Sequence, residues 1–243
     1  MRMENLSYLF KKLESLFGSD KTYGWHLLTT KDLIHYESET ATGILGGTGC
    51  IIKVEGLYHL YYCVFEDQPQ RQYVCHATST DLTNWTKYPD ETFGPDESIY
   101  LLTDWRDPHV IWNEEEKCWW MILCAQNQGN TKRRGCVGLC KSADLHHWTC
   151  CEPLYAPQSS MSAYECPDHF LYEWVVVSCI FTVYRPFPNT LPHESFMQWS
   201  MDFVPRRTPL TDVLFMQQRH AVTESIRYIF WMESNKNTKY VEF

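Results

Sequence analysis

Two short segments set a carboxylate close to a proline in a way that could do chemistry. "DWRDPHVIW" carries Arg106, Asp107 and Pro108, and "YECPDHF" carries Glu165, Cys166 and Pro167. In both, an alternating run follows the proline, which lacks an N–H and suits the first position of a strand. Each acid is therefore expected at the entrance of a hairpin, where carboxylates from neighbouring units can face one another. Glycoside hydrolysis needs such a pair, one group as acid and the other as nucleophile or base. A lone R-D-P is more often an Arg–Asp pair beside a turn; the recurrence at E-C-P is what argues for a site.

The elements that must position these acids repeat along the chain. "TKDLIHY" at 30–36, "STDLTNW" at 79–85, "SADLHHW" at 142–148 and "SMDF" at 200–203 share Ser/Thr, any residue, Asp and an apolar residue. Strand-like segments lead into each, and paired apolar runs lie upstream, as in "GCIIKVEGLYHLYYCVF" and "PHVIWNEEEKCWWMILCAQ". Hairpin, third strand and Asp-capped turn make one propeller blade. Asp32, Asp81, Asp144 and Asp202 are assigned as acceptors for backbone N–H groups in the turns, not as catalytic residues. The expected fold is all-β: a five-bladed β-propeller with incomplete first and last blades, occupying residues 1–243 as a single domain. The partial first blade takes residues 1–40, and the last hairpin, 212–233, lacks a following third strand. A competing reading of residues 1–21 is a helix, since Leu6, Leu9, Phe10, Leu13, Leu16 and Phe17 also fit a 3.6-residue period.

Composition narrows the partners. The chain has 243 residues and a net charge of −9, with aromatics at 15%. Such a balance lacks the electrostatic footprint of a nucleic-acid binder, while the aromatics suit both a strand-rich core and sugar stacking. With no leader-like N-terminus and no apolar run of ~18 residues, no membrane partner and a cytoplasmic location are expected. The 11 cysteines are odd in number and contain no C-x-x-C pair, so they read as free thiols. Cys136 with Cys140, and the vicinal Cys150 and Cys151, make poor zinc ligands. No metal and no cofactor are expected.

"DWRDPHVIW" and "YECPDHF", in that order and inside blades ending "STDLTNW" and "SADLHHW", resemble the catalytic module of glycoside hydrolase family 32, the β-fructosidases that include invertases, levanases and inulinases. The resemblance runs from about residue 22 to the C-terminus. It implies Glu165 as general acid/base and Asp107 as the group that binds fructosyl hydroxyls and stabilises the transition state. Arg106 would contact substrate or hold the carboxylates, and Cys166 would pack beside the acid. Thr48 and Gly49, in "GGTG", fall where the family has a Ser/Gly-rich stretch near the substrate. The implied partner is a fructose-containing oligo- or polysaccharide of the sucrose, levan or inulin type, cleaved with retention.

One departure stands against these matches. The family's nucleophile is an Asp on the first strand of the first blade, in a motif resembling N-D-P-N-G, and this chain has none. Asp20 is the only acid near that place outside a repeat turn, and it lacks the proline. The nucleophile is therefore not identifiable, and the expectation is a chain truncated at both ends, inactive as it stands. The family's C-terminal β-sandwich is also not found. Two alternatives remain: a non-catalytic carbohydrate-binding propeller, and a related five-bladed hydrolase of arabinose or xylose polymers.

Overall fold

The computed structural model describes residues 6–17, 20–31, 34–128, 134–156, 163–172, 175–183, 197–204, 229–234 and 237–242. The described residues form antiparallel sheets that follow one another along the chain. The first contains β1 (Leu6–Phe17), β2 (Asp20–Thr30) and β3 (Tyr36–Leu45); the second contains β4 (Gly49–Val54), β5 (Leu57–Asp67), β6 (Gln70–Ser79) and β7 (Thr86–Lys87). The third is built from β8 (Tyr100–Asn113), β9 (Cys118–Asn127), β10 (Gly135–Ser142) and β11 (Thr149–Tyr155). In the fourth, β12 (Ala163–Tyr172), β13 (Val175–Val183) and β14 (Met197–Val204) pair in sequence; β15 (Ile229–Ser234) and β16 (Asn237–Glu242) form a separate two-stranded sheet. No helix among the described residues is long and apolar enough to cross a membrane.

Period-2 alternation lets one sheet serve two cores. Leu60 and Tyr62 of β5 pack with Trp25 and Ile44 of the first sheet, whereas Tyr61 between them joins Trp105, Met121 and Leu123 of the third. On β9, Ile122 turns the other way to meet Val137, Leu139 and Tyr164. Sheets one to four are thus glued face to face by three successive apolar layers. Each fully buried aliphatic or aromatic side chain in them contributes about 1.5–3 kcal/mol.

The helix reading of residues 1–21 is overturned, because β1 pairs along its length with β2, from Leu6↔Thr30 to Phe17↔Asp20. Its apolar spacing fits either period, and a register irregularity between Leu13 and Ser15 resets the strand, so the available partner strand decides.

The Asp turns are near copies. Asp81 Oδ1 accepts from the N–H groups of Thr83 (2.8 Å) and Asn84 (2.7 Å), and Asp144 Oδ1 from those of His146 (2.9 Å) and His147 (2.8 Å). The preceding Ser79 and Ser142 each accept from two further N–H groups, and Leu82 and Leu145 hold φ at 66° and 69°. Backbone donation first, then the Asn84 and His147 side chains, hold both carboxyls well below the usual carboxylate range. The acceptor role is thus met at Asp81 and Asp144. Asp32 lies outside the described residues. Asp202, expected in a turn, instead sits inside β14 opposite Ser178; the short "SMDF" copy has no counterpart of Trp85 and Trp148. The expected hairpin 212–233 lies mostly outside the described residues. Its end is β15, and a further strand, β16, follows it.

Candidate active site

Both prolines lie inside strands, not at their starts as the sequence suggested. β8 runs from Tyr100 through Pro108, and β12 from Ala163 through Pro167. The ladder tolerates them because each strand bulges there: Arg106↔Cys124 is followed by His109↔Ile122, and Glu165↔Phe181 by Asp168↔Cys179. In each case three steps on one strand answer two on its partner, and the extra residue spares the sheet the missing proline N–H. The bulge residues, Asp107 and Cys166, take left-handed φ values of 57° and 47°. Non-glycine residues in that region cost free energy and cluster at functional sites.

The repeated bulge corrects the expected equivalence of the two acids. Counting from the prolines, Asp107 corresponds to Cys166, and Glu165 corresponds to Arg106. The carboxylates come from different register positions, so the guanidinium of one bulge faces the carboxylate of the next. Arg106 Nη2 donates to Glu165 Oε1 at 2.6 Å, and its Nε lies 3.8 Å from Asp107 Oδ2. Arg106 also forms an ion pair with Asp104. Burial opposes the guanidinium charge, but the sulfur of Cys124 and the carboxylates of Asp104 and Glu165 together hold its pKa above the ordinary value. Charge-assisted bonds of this kind fix geometry as well as energy.

Asp107 is held from two sides. The Thr48 hydroxyl donates to Oδ1, and the Cys166 N–H donates to Oδ2 at 3.0 Å. One carboxylate thereby ties the segment just before β4 to β8 and β12. Glu165 is more open, with its side chain 35% exposed against 6% for Asp107. The pair thus combines a locked carboxylate with an accessible one. Cys166 is exposed, yet desolvation, followed by the charges of Asp107 and Glu165, pushes its thiol up to about 12. It stays protonated near neutral pH.

Thr48 touches the site through its hydroxyl. Gly49 serves the sheet instead, because a Cβ there would lie 1.9 Å from the Tyr61 carbonyl oxygen. Sequence reasoning missed Asp104, although residues 104 and 106 share one strand face and the signal was available. It also missed Gln72, whose Oε1 accepts from the Trp105 N–H at 2.8 Å and steadies β8 just before the bulge. Phe65, 53% exposed, lies against Gly47, next to Thr48, and offers an apolar ring at this end of the strands.

A family model, the glycosyl hydrolases family 32 N-terminal domain, matches residues 6–183. The chain belongs to glycosyl hydrolase family 32. Among curated family 32 relatives, an insoluble beta-fructofuranosidase isoenzyme of Arabidopsis thaliana is 27% identical over 66% of this chain and 30% of its own length. A levanase of Bacillus subtilis is 32% identical over 43% of this chain and 14% of its own. The solved family 32 beta-fructofuranosidase of Bombyx mori superposes with a TM-score of 0.61 at 19% identity, covering 96% of this chain and 50% of that one. A mutant of that enzyme was solved in complex with sucrose. The chain therefore spans half or less of the length of these relatives. The fold is that of the all-β family 32 propellers.

Proposed function

We propose that this chain forms the sugar-binding and acid-supplying part of a retaining β-fructosidase built on a five-bladed propeller. The observation that carries the reading is the Arg106 bridge between a locked Asp107 and an open Glu165 on successive bulges. In the reaction, Glu165 donates a proton to the leaving-group oxygen through Oε2, the oxygen not held by Arg106, and later takes one from the attacking water. Asp107 accepts hydrogen bonds from fructosyl hydroxyls and stabilises positive charge developing at the anomeric carbon. Arg106 orients both carboxylates and Asp104. The neutral Cys166 thiol adds no charge beside the acid. The substrate class is a β-fructoside, in line with the sucrose held by the Bombyx mori relative.

A retaining reaction also needs a nucleophile about 5–5.5 Å from the acid. Hydrolysis of sucrose, levan and inulin by the purified chain, beside a Glu165→Gln control, tests the proposal. Release of fructose that the control abolishes would put a nucleophile within residues 1–243, with Asp20 the first candidate. Sugar binding that depends on Asp107 but gives no hydrolysis would match a site awaiting its nucleophile. Neither binding nor hydrolysis of any fructoside would sink the assignment.

A further inference from the structure

At the other end of the strands from the carboxylates lies a second polar cluster. Thr48 precedes the open end of β4, whereas His59 stands near the β4–β5 turn, opposite Ile52, and His76 lies across from Tyr61 on β6. Glu91 closes the 3-10 turn Pro89–Glu91 that follows the second sheet, and His146 belongs to the Asp144 turn of the third. Glu91 reaches both histidines: Oε2 lies 2.6 Å from His76 Nδ1 and Oε1 lies 2.8 Å from His146 Nδ1. His76 stacks on Tyr61 with centroids 4.5 Å apart and on Tyr88 at 5.2 Å, so its ring plane is fixed.

We propose that His76, Glu91 and His146 bind a zinc-like divalent cation that clips the second sheet to the third. The three donor atoms lie within 4.8 Å of one another. A tetrahedral zinc with bonds of 2.0–2.1 Å spaces its ligands roughly 3.3 Å apart. The two short contacts to Glu91 need to open by roughly 0.5–0.7 Å. Glu91 and His146 are 21% and 33% exposed at the side chain, which leaves a path for the ion and room for water in the fourth position. Two imidazoles and one carboxylate favour zinc over magnesium or calcium, which prefer all-oxygen sites.

The surroundings supply what a ligating histidine requires. Coordination through Nδ1 moves the ring proton of neutral His76 to Nε2, 3.1 Å from His59 Nδ1, which becomes the acceptor when His59 shifts its own proton to Nε2. The proton shifts within the ring and none need be lost. Such an outer partner fixes tautomer and ring orientation.

The test uses the untagged chain, stripped with EDTA and titrated with Zn2+ and, separately, Co2+. About one equivalent of Zn2+ should bind, X-ray absorption should show nitrogen and oxygen neighbours only, and Co2+ should give the visible bands of a tetrahedral site. His146→Gln, on the more exposed ligand, should weaken binding by at least about tenfold, and His59→Phe by about 10–100-fold. Sulfur among the zinc neighbours would assign uptake to the cysteines and overturn the proposal. So would absence of binding at 100 µM Zn2+, or uptake unchanged in His146→Gln. The absorption result on the unaltered chain decides the matter even if a variant fails to fold.

Discussion

Arg106 and Glu165, 59 residues apart, hold the same register position in successive sheets and are joined to one another at 2.6 Å. Each stands one residue before a left-handed bulge residue and two before a proline. The fold has therefore used one backbone device twice and filled it with opposite charges. Because Arg106 is almost buried among Asp104, Asp107 and Glu165, the carboxylates share one cation and depend on it for their mutual spacing.

In a form of the protein that supplies the nucleophile, Glu165→Gln should lower hydrolysis of sucrose-type fructosides by about 10²–10⁴-fold. Aryl fructosides with good leaving groups need no proton, so their first step should be much less affected. Steady-state rates on the two substrate classes check this, and equal losses on both would refute the acid assignment.

Asp107→Asn keeps the acceptor oxygen for one neighbour but loses the charge and puts an NH2 against a donor. The expected outcome is a fall in kcat with a smaller change in KM, because the contacts strengthen in the transition state. A change confined to KM would make Asp107 a ground-state binding group.

The Cys166 thiol is exposed, but its pKa of about 12 should make it slow to alkylate. With the ordinary value at 9.0, its thiolate fraction at pH 8 falls roughly a thousandfold below that of a free thiol. Mass spectrometry of the Cys166 peptide after timed iodoacetamide treatment measures the rate. Asp107→Asn removes one of the charges responsible and should speed the reaction.

Asp144→Ala should lower the melting temperature at neutral pH. Its folded pKa is depressed by the His147 and His146 N–H groups and the His147 side chain, so the charged form stabilises the fold above the unfolded value of about 3.9. That contribution is lost as pH falls through the folded value. The gap between wild type and variant should widen as pH falls from 7 to about 5, where His147, whose pKa Asp144 raises, takes up its proton, and should narrow below pH 4, as followed by thermal melts.

Gly49→Ala should destabilise the chain by about 1–3 kcal/mol, because its Cβ meets the Tyr61 carbonyl and must part β4 from β5. Denaturant unfolding reads the loss. An unchanged stability with weakened sugar binding would return Gly49 to the substrate-contact role read from the sequence.

The alternating runs and turn motifs were legible because each carries its cause in local chemistry. "STDLTNW" and "SADLHHW" specify their turns by short-range hydrogen bonds, and both turns form with nearly identical partners. Asp107 and Glu165 were found by their prolines, yet their relation was misjudged. A bulge depends on where a neighbouring strand pairs, which no single segment records. For the same reason Asp104 and Gln72 escaped notice, and so did the cluster of His76, Glu91 and His146, whose members come from a strand, a 3-10 turn and the next sheet's Asp turn. The first strand was ambiguous on periodicity, and only its pairing with β2 separates the two readings.

The bulge also bears on how such a site is gained and lost. On β8, Arg106↔Cys124 and His109↔Ile122 are both paired, and the surplus residue lies between them. Removing Asp107 would keep every later side chain on its own face but would put Pro108, which has no N–H, into the ladder in its place. The residue proposed to stabilise the transition state is thus also the one that lets β8 carry its proline. A single in-frame codon deletion would therefore remove the sugar's anchor and the backbone bend together, and a single insertion would supply both.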